Sequence, residues 1–321
     1  MNKLTFYVAV FLLAGTSQAW QPPVNLGDAV NTNHNEWYPV IAEDGSCMIF
    51  VSDRPGGLGD ADLWITFLED GSWCEPINMG SNVNTPFGES APFLAENDSK
   101  LYFLSADPTG HGGGDIWFCP FTGDAAGPRE NLGTPINSPA LECCPLPSPD
   151  GSSLYFCSTR SGGEGGVDVW ISERSGGFWG EPFNAGSKVN STGTDCPRWI
   201  SSDGESILLC STGPGGYGGA DMYSVCIEGD SLGNPENLGP ELNSPAAEWG
   251  AWFQDNAGGI GGTIFFGSGR AGGFGGLDIW FSTQTEEFGI LSWGEVKSLF
   301  LFRGPENRNE KPVTCRTNTT P

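Results

Sequence analysis

The chain repeats itself at a period of 53 residues, and a period of that length leaves few folds open. The segment from Phe50 to Trp64, FVSDRPGGLGDADLW, returns as FLSADPTGHGGGDIW ending at Trp117, FCSTRSGGEGGVDVW ending at Trp170, LCSTGPGGYGGADMY ending at Tyr223 and FGSGRAGGFGGLDIW ending at Trp280. Asp62, Asp115, Asp168 and Asp221 stand 53 residues apart, and Asp278 follows after 57. Upstream, Glu36, Glu89, Glu142, Asp195 and Glu248 keep the 53-residue spacing throughout, so the extra residues of the fifth copy fit its AGGIGG stretch at 257 to 262.

Each copy reads as four short strands punctuated by turn residues: one opening at the acid, one ending in Ser, one opening at the Asp after a Gly-rich loop, and a fourth near Trp73 or Trp179 in their copies. A four-stranded antiparallel sheet has two apolar faces to cover, and sheets repeated at this period pack as blades around an axis. The expected fold class is all-β, a five-bladed β-propeller; a sixth blade would need a sixth GGxGG-Asp segment, and there is none. Pro39, Pro92 and Pro145 inside the first strands suit a free edge lining the channel. Trp64, Trp117, Trp170 and Trp280 share a strand face with the Asp two residues before and are expected between blades.

Ring closure has two candidates. WQPPVNLGDAVNT, from Trp20 to Thr32, matches the fourth-strand segment WCEPINMGSNVNT at 73 to 85, while SWGEVKSL at 292 to 299 resembles the same strand. The N-terminal copy matches better and is the expected closure. The propeller then occupies 20 to 300, and 301 to 321 form a polar, disordered tail.

Residues 1 to 19 carry Lys3, an apolar run to Leu13, and Ser17 and Ala19 at small-residue positions, which reads as a secretory signal peptide cleaved after Ala19. Its apolar stretch is about ten residues where a span needs roughly twenty, and no later segment could span. With 39 acidic against 14 basic residues the net charge is −25, and loss of Lys3 makes it −26. Such a chain makes a poor partner for nucleic acid or an anionic membrane surface. The compartment is oxidising, and the chain has ten cysteines. A cross-repeat disulfide involving Cys196 with Cys143 or Cys144 is one expectation; small buried hydrophobes are the other. Asn97 and Asn190 head glycosylation sequons, meaningful in a eukaryotic source.

The run SPDGSSLYFCSTRSGGEGGVDVW, 148 to 170, resembles the TolB-type, WD40-like β-propeller repeat of bacterial envelope and secreted proteins, and the likeness extends over about 20 to 299. The resemblance implies the fold, and for function only envelope binding or scaffolding, because such propellers host many roles. Members often carry a second domain, such as a peptidoglycan-binding one; no match for it is seen here.

Propeller topology gathers the Gly-rich loops and the turns entering each first strand on one face, so Glu36, Glu89, Glu142, Asp195 and Glu248 should surround one mouth of the channel. Five close carboxylates repel unless bridged by a cation such as Ca2+ or hydrogen-bonded by neighbouring turns. Arg54, Arg160 and Arg270 precede Asp62, Asp168 and Asp278 by eight residues, and bidentate Arg–Asp pairs are expected across each hairpin. The GGxGG loops differ in spacing and period from a calcium-binding nonapeptide array, so glycine is expected to supply positive φ in a tight loop.

An active site needs unlike groups, and residues that break the symmetry on the loop face are Asp60, His111, Glu164, Arg198, Trp249 and Trp252. No GxSxG, HExxH or Cys-His arrangement stands in a recognisable context. Two expectations follow. The first is a secreted or periplasmic, non-catalytic propeller that binds an envelope or extracellular protein, or a glycan, on its loop face. The second is a glycan-cleaving hydrolase using two channel carboxylates about 5 to 9.5 Å apart.

Overall fold

The computed structural model describes residues 19–95, 97–229, 231–255 and 262–285. Every regular element among them is a β-strand, and the strands form five antiparallel sheets. The first strands, Glu36–Ile41, Glu89–Ala95, Glu142–Pro147, Asp195–Ile200 and Glu248–Asp255, each pack beside the next, and the last packs beside the first. They form the inner ring of a five-bladed β-propeller. No helix among the described residues is long and apolar enough to cross a membrane.

Register explains why the acid and the Asp both recur. Glu36 lies opposite Ser52, and Ser52 opposite Asp62, so acid, serine and aspartate form one row across the end of the blade. The same row runs Glu89–Ser105–Asp115, Glu142–Ser158–Asp168, Asp195–Ser211–Asp221 and Glu248–Ser268–Asp278. Below it, strand alternation sends Phe50, Phe103, Phe156 and Phe266 into the core with no exposure at all. Trp64, Trp117, Trp170 and Trp280 are buried in the cores as expected.

The N-terminal segment closes the ring. Val24 pairs with Phe281 and Asn25 with Trp280, giving the fifth blade its outer strand. Ala19 and Trp20 extend that pairing to Thr285 and Gln284, and Trp20 stands edge-on to Phe253 with centroids 6.2 Å apart. The competing segment at 292 to 299, the tail at 301 to 321 and the signal sequence before Ala19 lie outside the described residues.

The inner strands are not regular. Each carries a bulge, with Tyr38, Ala91, Cys144 and Gly250 at positive φ of 51 to 72°. A non-glycine residue there is strained, and in the first three blades it stands directly before a proline, Pro39, Pro92 or Pro145. In the fourth blade proline has moved one place earlier. Pro197 has its φ fixed near −65° and cannot take that conformation, so the bulge re-forms one residue later and leaves Arg198 unpaired between Pro197 and Trp199.

Candidate functional site

All five inner-strand acids are fully buried, with no solvent exposure. Glu36 accepts from the Thr32 backbone N–H at 2.8 Å, the Thr32 hydroxyl at 2.7 Å and the Ser52 hydroxyl at 2.9 Å. Glu89, Glu142, Asp195 and Glu248 repeat this with Thr85, Ser138, Ser191 and Ser244 on the entering turn and Ser105, Ser158, Ser211 and Ser268 on the second strand. Of the two arrangements open to the five acids, a shared cation or hydrogen bonds from neighbouring turns, each acid has the hydrogen-bonded one, a separate lock in every blade. Each lock ties a blade to its neighbour, because an asparagine one residue before the bonded Ser or Thr grips the previous blade's third strand. Asn84 accepts from Leu63 N and donates to Leu63 O, both at 2.9 Å. Asn31 does the same to Ile279 across the closure, at 2.8 and 2.9 Å. Asn190 belongs to this set and is buried, whereas the sequon residue Asn97 is exposed.

The arginines pair with these acids and not with the aspartates. Arg54 lies 3.1 Å from Glu36, Arg160 3.2 Å from Glu142 and Arg270 3.1 Å from Glu248. Their guanidinium groups also donate to the entering-turn carbonyls of Val30, Ile136 and Leu242. Each sits over two rings, Arg54 5.1 Å from Phe50 and 5.3 Å from Trp64. The expected Arg–Asp pairing fails because the aspartates are already claimed by backbone. Asp62, Asp115, Asp168, Asp221 and Asp278 each accept from the N–H of the residue between the glycine pairs, at 2.5 to 2.7 Å.

That bond explains the glycines better than loop tightness alone. Gly56 does need φ of +97°, yet Gly57 is required because a Cβ would stand 1.8 Å from the Asp62 carboxylate. Gly59 is required for another reason: its Cβ would stand 1.8 Å from the Phe87 carbonyl on the turn into the next blade.

Two blades depart from the pattern. In the second, Asp107 replaces the arginine, and Arg129 arrives from beside the outer strand to sit 5.3 Å over Trp117, bonded to Asp107 at 2.6 Å. Glu89 has no cation beside it among the described residues, and burial pushes its carboxyl up, opposed by the Ser105 and Thr85 bonds. In the fourth, Gly213 replaces the arginine, Asp195 the glutamate and Tyr223 the tryptophan. Losing the cation coincides with a shorter acid.

The axis is filled by side chains just inside the acid level. Tyr38 of the first blade, Ala91 of the second, Cys143, Cys144 and Cys157 of the third and Cys196 of the fourth pack together. Arg198 stands 4.0 Å over the Tyr38 ring and is buried. Hydrogen bonds from Cys143, Cys157 and Cys196, helped by Arg198, pull the Cys144 thiol well below its ordinary range. Burial pushes Cys157 and Tyr38 up. For Arg198 burial works against the charge, and Cys144 and Tyr38 outweigh it. These cysteines are thiols in the structure, so the expected cross-repeat bond through Cys196 is not formed. Cys74 is disulfide-bonded.

The remaining symmetry-breaking residues divide by depth. Arg198 faces the axis and not the loop face. Trp252 packs against four of the hydrophobic clusters and lies 5.6 Å from Phe93, as a plug between blades. Trp249 is half-buried, and Asp60, His111 and Glu164 are exposed on the loop face. Sequence reasoning missed the residues that share this position with His111 and Glu164. Between the glycine pairs the five blades carry Leu58, His111, Glu164, Tyr217 and Phe274, and Leu58, Tyr217 and Phe274 are 49, 49 and 52% exposed. Phe87, 42% exposed, extends the same face. Blades four, five and one thus present an apolar arc, and blades two and three a polar one. The signal was the one variable letter inside GGxGG.

No family model matches the sequence, and no curated protein matches it. Among solved structures the chain is similar to TolB from Acinetobacter baumannii, with 13% identity and a TM-score of 0.44 over 77% of this chain and 54% of that one. It is similar to a putative TolB from Agrobacterium tumefaciens, with 15% identity and a TM-score of 0.47 over 83% of this chain and 91% of that one. It is also similar to an α-L-arabinofuranosidase from Lactobacillus brevis, with 10% identity and a TM-score of 0.47 over 80% and 92%. These likenesses concern the fold, and they include proteins of unlike function.

Proposed function

We propose that the protein is a secreted or periplasmic, non-catalytic propeller that binds an extracellular or envelope protein, or a glycan, on its loop face. The observation that carries this reading is the contrast between repeated and varied residues. Acid, serine, asparagine and aspartate recur blade after blade in buried bonds, whereas the tip between the glycine pairs changes from blade to blade and is exposed in all five. Variation confined to an exposed rim on a rigid frame is what a recognition surface requires. Tyr217, Phe274 and Leu58 supply the apolar contact, and His111, Glu164 and Asp60 the polar edge.

The glycan-cleaving reading draws no support from the acid ring. A general acid and a nucleophile need access to a sugar, and these carboxylates have neither exposure nor free bonding capacity. The test is capture of envelope proteins and immobilised glycans by the purified chain and by a Leu58→Ser, Tyr217→Ser, Phe274→Ser variant. Loss of a wild-type ligand in the variant supports the reading; equal capture removes the arc from it.

A further inference from the structure

We propose that Cys143, Cys144, Cys157 and Cys196 form a thiolate site for one Zn2+ ion on the propeller axis, with Arg198 as its buried counter-cation. The bulge makes the site. Neighbours in a regular strand point to opposite faces, but the positive φ of 52° at Cys144 brings its sulfur to the side of Cys143. Cys157 lies directly across from Cys143 in the register. The sulfurs of Cys143, Cys144 and Cys157 fall within 4.8 Å of one another. Tetrahedral zinc with bonds of about 2.3 Å holds its sulfurs about 3.8 Å apart, so a contraction of under about 1 Å completes three corners. Cys196, packed in the same cluster from the neighbouring blade, supplies the fourth.

A second, independent observation asks for an anion at this place. Arg198 is 4% exposed, its Nε has no hydrogen-bond partner, and among the described residues no carboxylate pairs with it. A buried cation without a counter-charge is costly. On binding, each thiol releases its proton to solvent and each sulfur donates a lone pair to the ion, with no change of oxidation state. Four thiolates around a divalent ion carry −2, and Arg198 offsets one unit. Two disulfides would consume the same sulfurs and leave Arg198 without an anion.

The thiols are buried, so the ion is loaded while the chain folds. The experiment refolds the full chain in a non-thiol reductant with Zn2+, removes free metal and measures bound zinc by elemental analysis; a parallel refolding with Cd2+ reads the sulfur-to-metal ultraviolet band. The expected result is one zinc per chain, a cadmium band, at least a tenfold loss of retained zinc in Cys157→Ser, and full retention in Cys226→Ser, whose thiol is exposed and outside the cluster. Less than a tenth of an equivalent with no cadmium band in the wild-type chain overturns the proposal, whatever the variants do. Mapping of these four cysteines as disulfides in metal-free secreted protein also overturns it.

Discussion

Arg129 donates to Asp107 across 2.6 Å and in doing so rebuilds, from the outer edge of the second blade, the cation that the first, third and fifth blades place on their Gly-rich hairpin. The guanidinium covers Trp117 at 5.3 Å, close to the 5.3 Å of Arg54 over Trp64. What the blade conserves is therefore a cation on the tryptophan face, and the chain position that supplies it is free to change.

Arg129→Met should cost about 1 to 2 kcal/mol, from the lost cation–π contact and the ion pair at a partly exposed site. The double change Asp107→Arg, Arg129→Gln, which imposes the pattern of the first blade, should recover most of it. Urea denaturation of the three proteins measures both effects.

The locks should be unequal. Glu142→Gln leaves the half-buried Arg160 without its anion, and about 2 kcal/mol or more is expected. Glu89 has no such cation and its carboxyl is pushed up by burial, so Glu89→Gln should cost less. Matched losses at the two sites, measured by denaturant unfolding, would contradict the assignment.

Glycine substitutions should separate close approach from backbone freedom. Gly59→Ala places a carbon 1.8 Å from the Phe87 carbonyl and should destabilise by more than about 2 kcal/mol. Gly27→Ala meets nothing within 4 Å and faces only its φ of +94°, for about 1 kcal/mol.

Asp98 provides a pH signature. Burial, with Glu43 and Asp44 adding repulsion, raises its carboxyl to about 6, against a bond from the Glu43 N–H. A raised acid binds its proton more tightly when folded, so its contribution is present below about pH 4 and fades as pH rises to about 6. Asp98→Asn should therefore gain on the wild type across that window, by up to about 1 to 2 kcal/mol at neutral pH. Tm measured from pH 4 to 7 reads the divergence.

Much of this was legible in the sequence because repetition makes topology a matter of counting. The period fixed the blades, the matching of Trp20 to Thr32 with 73 to 85 identified the closure, and the Asp–x–Trp spacing placed the tryptophans inside. Side-chain pairing was not legible. Arg54 is eight residues from Asp62 and eighteen from Glu36, yet register puts Ser52 beside both acids and loop backbone claims the aspartate first. Nor could the axis be read: one displaced proline, Pro197, decides where Arg198 goes, and a positive φ at Cys144 has no composition signal.

We propose that the five inner-strand acids hold the blades together and hold no ion. The most direct test is the melting temperature of the chain, freed of calcium, with and without millimolar Ca2+ and beside the Glu89→Gln, Glu142→Gln double variant. A ligand of the folded state must raise Tm. The variant should melt at a lower Tm, and neither protein should respond to calcium. A calcium-dependent rise in the wild type that the variant lacks would contradict this proposal, and would make the acids an ion site.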